Sequence, residues 1–284
     1  MINRLAVIGV GLIGGSLALS LKSKGAVNEV VGYSRSDEAR QEALSLGIID
    51  KAADSIAEAV VDADVVFVAV PMGAMASVFA EMSEHIRPEA IITDGGSAKA
   101  QVVSSAREAL GDKFKQFVPG HPIAGTEKSG PAAAFATLYE NHRIVLTPVS
   151  ETDSAATAKI KMMWQLTGAE VFEMNVEHHD TVLAATSHLP HVLAFNLVGM
   201  LAQRDDCDEV LRYAAGGFRD FSRIASSDAV MWRDICLGNK QAILDLLDEF
   251  HQGINKIEQA IKEDEGEDLV RLLYTSDAAD ARLV

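Results

Sequence analysis

Cysteine is nearly absent from this chain of 284 residues: only Cys207 and Cys236 occur, in neither a Cys-x-x-Cys nor any other metal-type spacing. They can close at most one bridge, so a disulfide scaffold and a cysteine-built metal centre are excluded, and a reduced, cytoplasmic compartment is the expectation. Positive charge is also short. Lys and Arg total 25 against 41 Asp and Glu, a net charge of -16 with no local basic cluster, which argues against nucleic acid or an anionic membrane as a partner. The opening, MINRLAVIGVG, lacks the basic start and small-residue cleavage site of a signal peptide, and no apolar run approaches membrane-spanning length.

What is present is ample apolar material: 48% hydrophobic residues and a mean hydropathy of +0.11, enough for the cores of one large domain or two ordinary ones. Up to Glu173 short β-branched runs alternate with helical segments, the strands reading RLAVIGVG, EVVGYS, ADVVFVAVP, AIITDGG, FVPGHP and HRIVLTP. Such alternation predicts a mostly parallel, doubly wound α/β sheet covered on both faces. From about Asn175 to Lys262 only helical periodicity remains, interrupted near Pro190 and at Gly216-Gly217. In QAILDLLDEFHQGINKIEQAIK the apolar residues Ile243, Leu246, Leu247, Phe250, Ile254, Ile257 and Ile261 recur at three- and four-residue steps, predicting a long amphipathic helix. An all-α domain of this size cannot easily bury every apolar face, so a homodimer is expected, a monomeric bundle being the alternative. The expected division is 1–173 for the sheet domain, 174–273 for the helical one, and 274–284 for a disordered or foreign tail.

The strand RLAVIGVG leads into Gly9, Gly11 and Gly14, the G-x-G-x-x-G spacing, followed by a helical pattern. The first glycine allows the turn, the second lets a pyrophosphate approach the backbone, and the third lets helix and strand pack closely, as in a Rossmann-type dinucleotide site. Leu12 and Ile13 in this loop, and Val70 and Pro71 after the ADVVFVAVP strand, are assigned to the same cofactor. The second strand ends in Ser34-Arg35, where an acidic residue would favour a ribose 2′-hydroxyl; serine plus arginine suits a 2′-phosphate and tilts the choice from NAD towards NADP. Arg35 stacked on adenine or pointing into water is the alternative.

His121, in GHPIAGTEKSG, is either a turn-closing histidine or an acid-base group. Following a strand, it should emerge at the carboxyl edge of the sheet, where a doubly wound fold binds ligands, and this favours acid-base work. Ser97, in GGSAK, follows another strand on the same edge and is either a ligand contact or a helix N-cap. His188 and His191 lie one helical turn apart without a third ligand, so no metal is expected. Arg219 and Arg223, four apart on a single expected helix face, suit a carboxylate-bearing ligand unless they pair with Asp220 or Asp228.

Together VIGVGLIGGSLA, DGGSAK, GHPIAGTEKSG, SHLPHVLAFNLV, GGFRDFSRIA and MWRDI resemble the prephenate and arogenate dehydrogenases of tyrosine biosynthesis, over nearly the whole chain. The resemblance implies NAD(P)-dependent oxidative decarboxylation of prephenate to 4-hydroxyphenylpyruvate. It implies His121 as the catalytic histidine on the substrate's 4-hydroxyl, Ser97 beside it and the nicotinamide, and Arg223 on a substrate carboxylate. Arg219, Asp220, Trp232, His188, His191, Thr126 and Glu127 fall at pocket positions, with Lys128 or Arg219 completing a clamp for the dianion. The Glu127 loop resembles enzymes that accept prephenate more than strictly arogenate-using ones; an enzyme accepting both stays open. Competing readings are a β-hydroxyacid dehydrogenase, whose helical lysine is missing here, and a dinucleotide-binding redox sensor.

Overall fold

The computed structural model describes residues 1–126 and 128–274. Glu127 and the segment from 275 onward, and with it nearly all of the tail expected at 274–284, lie outside the described residues.

Six parallel strands form the main sheet: β1 (Ile2–Ile8), β2 (Val27–Tyr33), β3 (Lys51–Ala52), β4 (Val65–Val68), β5 (Ile91–Asp94) and β6 (Phe117–Val118), in the order β3-β2-β1-β4-β5-β6. The chain reverses its direction of travel across the sheet between β1 and β4, which opens a crevice at their carboxyl ends. The linking helices are α1 (Leu12–Ser23), α2 (Asp37–Ser45), α3 (Ile56–Val60), α4 (Met75–Ser83) and α5 (Lys99–Leu110). Strand alternation sorts the core into two faces. Leu5, Val7, Val65 and Phe67 pack under α1, while Ala6, Ile8, Val66 and Val68 pack against α3, α4 and α5. All four residues of β4 are buried, as a central strand covered on both faces requires.

The structure departs from the single sheet expected of the sequence. FVPGHP is two strands: β6 ends at Val118, and β7 (Gly120–Ile123) starts a separate sheet with β8 (Arg143–Leu146) and β9 (Glu170–Glu173). Pro119 lies between them with no N–H to donate, so the ladder of the first sheet ends there. β7 runs antiparallel to β8, and β8 parallel to β9, with α6 (Ser154–Leu166) between the last two. From α6, Trp164 stands edge-on to Phe67 and Tyr139, with ring centroids 5.5 and 5.0 Å away.

Beyond β9 every described element is helical: α7 (Val176–Leu183), α8 (Leu189–Ala202), α9 (Cys207–Arg212), α10 (Gly216–Ser222), α11 (Ala229–Gly238), α12 (Lys240–Lys262) and α13 (Gly266–Leu273). Pro190 does not break the helix as expected. A π turn at Ala184–His188 precedes it, Pro190 falls in the first turn of α8, and Val176–Ala202 runs on as one helix of 27 residues. By length and composition this helix is long and apolar enough to cross a membrane, a test that core helices of globular proteins also pass. The helical run breaks beside Gly216-Gly217 as expected, between Arg212 at the end of α9 and the two glycines that open α10. Cys207 and Cys236 are both free thiols. The chain divides into two compact units, Met1–Asn239 and the residues from Lys240 on. The second contains the expected amphipathic helix, α12, which leaves Phe250, Ile254 and Ile261 exposed in the single chain.

Candidate active site

At the end of β1 the backbone makes the turn that the glycine spacing predicts. Gly9 has φ +100, and a Cβ there would meet the Ala69 carbonyl oxygen at 2.3 Å; one at Gly14 would meet the Gly9 oxygen at 2.1 Å. At Gly11, by contrast, a Cβ would meet nothing within 4 Å. Two glycines are thus needed by the fold and one keeps space free at the start of α1, a cradle that fits a dinucleotide pyrophosphate. The Tyr139 hydroxyl donates to the Ile13 carbonyl at 2.6 Å, and Ser16 Oγ accepts from the Phe135 N–H at 3.1 Å, so a segment after β7 braces the cradle. Gly11→Val is expected to leave the melting temperature unchanged while raising the dinucleotide Kd at least roughly tenfold, about 1.4 kcal/mol, in a fluorescence titration. An unchanged Kd would remove the loop from the cofactor site.

Ser34 and Arg35 follow β2 on the same edge, and Arg35 is exposed. Arg40, to which the sequence pattern assigns no role, donates to the Ser34 carbonyl at 2.7 Å and pairs with Asp37 at 3.0 Å. Val70 and Pro71 follow β4, and Val70 is next to Gly9.

At the end of β5 a buried ion pair ties three elements together. Lys99 and Asp94 are each 0% exposed; Lys99 Nζ donates to the Asp94 carboxylate at 2.5 Å and to the Gly120 carbonyl at 2.6 Å. The Asp94 carboxylate also accepts from the Gly96 and Gly120 N–H groups at 2.7 and 3.0 Å. Burial pushes the Lys99 pKa down, opposed by the attached carboxylate. The pair clamps the start of β7 to the carboxyl end of β5, and this places His121 on the sheet edge although it belongs to the second sheet. Ser97 lies between the two, half-buried; the N-cap of α5 is Ala98, and no side chain caps that helix, so capping does not account for Ser97.

His121 is buried, and its Nδ1 lies 2.9 Å from Nε2 of His179. Nδ1 of His179 lies 2.8 Å from the Asp180 carboxylate, which also accepts from the Lys99 and Ala100 N–H groups at 2.8 and 2.9 Å. Burial, then the like charges of His179, Lys99 and His188, hold the His121 pKa well below 6.5, so the ring is neutral at neutral pH. Burial raises the pKa of Asp180, but the hydrogen bonds from His179 and the two amides outweigh it and keep the group a carboxylate.

His188, in the π turn, is 1% exposed, and its Nδ1 faces the Asn239 amide nitrogen at 3.1 Å. The same amide donates to the Asp180 carbonyl at 2.7 Å. His191 is half-buried, its Nδ1 bonded to the Ser187 carbonyl and its ring stacked on Trp232 at 3.9 Å and 20°. The buried Trp232 indole N–H has no partner among the described residues. Burial lowers the His191 pKa, and the nearby Arg223 guanidinium lowers it further. Arg219 and Arg223 do not share one helix, because α10 ends at Ser222 and Arg223 begins a 3-10 turn that packs on α8. Both are exposed, as is Asp220, and neither arginine has a carboxylate within 4.0 Å among the described residues. Asp228, considered as their partner, caps α11 instead. Thr126 and Lys128 are exposed, Thr126 Oγ1 accepting from the Lys128 N–H at 3.2 Å. Glu127 lies outside the described residues.

Burial pushes the His188 pKa down to about 4 from 6.5. An unfolded histidine takes up a proton near 6.5 while the folded one resists until about 4, so stability from the neutral ring is complete above 6.5 and lost as pH falls towards 4. The loss amounts to about 3 kcal/mol from this residue. Denaturant unfolding at pH 7.5 and 4.5 should show it, and His188→Gln should flatten the dependence; an equal acid loss in the variant would sink the assignment.

His121 and Ser97 thus share one edge with the glycine cradle, and His188, His191, Trp232 and Arg223 form a neighbouring cluster. Asp94, Lys99, His179, Asp180 and Asn239 were missed from sequence. The available signals were the DGGSAK motif, whose ends are Asp94 and Lys99, and the adjacent His178-His179-Asp180 run.

Residues 17–173 match the family described as prephenate dehydrogenase, nucleotide-binding domain, and residues 175–275 match prephenate dehydrogenase, dimerization domain. A cyclohexadienyl dehydrogenase of Zymomonas mobilis is 39% identical over 98% of this chain and 94% of its own. A prephenate dehydrogenase of Bacillus subtilis is 41% identical over 97% of this chain and 75% of its own. Among solved structures, Aquifex aeolicus prephenate dehydrogenase in complex with hydroxyphenyl propionate and NAD+ superposes with a TM-score of 0.92 at 35% identity, covering 100% of this chain and 99% of that one.

Proposed function

Because this chain belongs to the prephenate dehydrogenase family, we propose that it catalyses NAD(P)-dependent oxidative decarboxylation of prephenate to 4-hydroxyphenylpyruvate, with arogenate as a second substrate to be tested. The observation that carries this reading is His121: a buried, neutral imidazole clamped at the sheet edge beside a dinucleotide cradle. The family match sets aside the β-hydroxyacid dehydrogenase and redox-sensor readings.

A bound nicotinamide dinucleotide supplies the hydride acceptor. The lone pair of His121 accepts the hydrogen bond of the ring 4-hydroxyl and draws its proton as hydride leaves C4. Electrons of the breaking C1–carboxylate bond then flow into the ring, carbon dioxide departs, the oxygen regains its proton, and the ring becomes aromatic. Ser97 holds substrate and nicotinamide side by side. Arg223 binds a carboxylate, with Arg219 and Lys128 adding charge, and Thr126, Glu127, Asp220, His188, His191 and Trp232 line the pocket. Gly9, Gly11, Leu12, Ile13, Gly14, Val70 and Pro71 hold the dinucleotide. Ser34 and Arg35 support NADP as the preferred form, since Arg40 is engaged by Asp37 while Arg35 is exposed.

Residues 1–173 serve as the dinucleotide domain, and 174–273 complete the site and pair with a second copy. Support for pairing comes from the most apolar 18-residue stretch of Val176–Ala202, of which only 22% is buried within the chain, from the exposed stripe of α12, and from the dimerization-domain match. Initial rates of dinucleotide reduction with prephenate and arogenate, each against NAD and NADP, test the reading. A prephenate rate supports it and the better dinucleotide decides the role of Arg35; four flat traces from folded, dinucleotide-binding protein would overturn it.

A further inference from the structure

We infer that His179 and Asp180 act as positioning residues for His121, forming with it a three-member hydrogen-bonded relay that fixes which ring nitrogen of His121 carries the proton. The inference rests on the dehydrogenase reading and deepens it.

Donor and acceptor chemistry fixes the direction of each bond in the relay. An ionised carboxylate only accepts, and Asp180 receives three bonds: the Lys99 and Ala100 N–H groups and Nδ1 of His179. The proton between His179 and Asp180 therefore lies on Nδ1, which leaves Nε2 of a neutral His179 as a lone pair. That lone pair faces Nδ1 of His121 at 2.9 Å, so Nδ1 of His121 must be the protonated nitrogen. Its Nε2 is then bare, the form needed to accept a hydrogen bond from a substrate hydroxyl. The same logic orients a catalytic histidine through a buried aspartate in hydrolase triads, here extended by one ring.

The relay is rigid and dry. His179 is 0% and Asp180 5% exposed, and Asp180 is fastened to the first turn of α5, where the helix dipole favours its charge. Other titratable groups face it from two sides, Asp94 and Lys99 from β5 and α5, and His188 from the π turn. Protonation of His179 would reverse the chain. An imidazolium there donates through both nitrogens, His121 Nδ1 becomes an acceptor, and its outer nitrogen carries a proton it cannot use as a base. Burial lowers the His179 pKa and guards against that state. When His121 draws the substrate proton, its Nδ1–H becomes a stronger donor to His179, and the Asp180 charge stabilises the imidazolium through the intervening ring.

The test combines steady-state kinetics with nitrogen-15 detection of the histidine rings. In wild-type protein without substrate, His121 is expected as the Nδ1–H tautomer. His179→Leu, which offers no acceptor, should lower kcat for prephenate by about 100-fold with KM within about threefold and return His121 to a mixture of tautomers. His179→Gln, whose side-chain oxygen can take the place of Nε2, should keep the Nδ1–H form and recover kcat to within about tenfold of wild type. An Nε2–H His121 in wild type, wild-type turnover in His179→Leu, or equal losses in the Leu and Gln variants would each overturn the relay. A wild-type protein inactive on prephenate would instead overturn the dehydrogenase reading, and the tautomer measurement would still decide the relay.

Discussion

Replacing His121 with asparagine is expected to lower kcat for prephenate by about three orders of magnitude, with KM for substrate and dinucleotide within about threefold of wild type. The side chain is buried in a frame that does not depend on it, because Lys99 and Asp94 hold β7 through the Gly120 carbonyl and N–H. What the substitution removes is the outward lone pair, an interaction that strengthens only as the hydroxyl loses its proton, so the loss belongs in kcat. Since burial, and after it the neighbouring ionisable groups His179, Lys99 and His188, keep the His121 pKa well below 6.5, wild-type kcat/KM should stay level from pH 8 to about 6, falling only at more acidic pH as the ring takes up a proton. Steady-state kinetics with both ligands varied checks this. A variant with raised KM and intact kcat would make His121 a binding residue.

Arg223→Ala is expected to raise KM for prephenate by roughly 10- to 100-fold with little change in kcat, the cost of a charge-assisted hydrogen bond to a carboxylate. Arg223 is exposed and has no carboxylate partner within 4.0 Å among the described residues, so its removal strands no charge and stability should hold within about 0.5 kcal/mol. In a protein of net charge -16 a dianionic substrate needs such local positive charge. Arg223→Lys keeps the charge but loses the planar fork and should recover only part of the affinity. Full activity in Arg223→Ala, with the KM effect in Arg219→Ala, would move the carboxylate contact one turn earlier.

The legible parts of this protein were those written in local pattern. The glycine spacing between strand and helix foretold the turn at Gly9 and the close approach at Gly14, and the apolar run at β4 foretold its burial on both faces. Two-residue β3 has no periodicity to detect, and the break between β6 and β7 rests on one missing N–H at Pro119. Lys99 looks like a surface lysine until the fold carries Gly120 and Asp94 to it. The neighbours of Asp180 show why chemistry was harder to read than fold, since its amide donors at Lys99 and Ala100 lie 81 and 80 residues away. Arg219 and Arg223 kept their spacing but not their shared helix, because α10 stops between them.

The most direct test of the account is to supply prephenate labelled at its ring carboxylate and count carbon dioxide released per dinucleotide reduced. The account predicts a ratio of one, with both products lost together in His121→Asn. Dinucleotide reduction with the label retained in the organic product would contradict it, because hydride transfer would then proceed without the aromatising decarboxylation that His121 is positioned to promote.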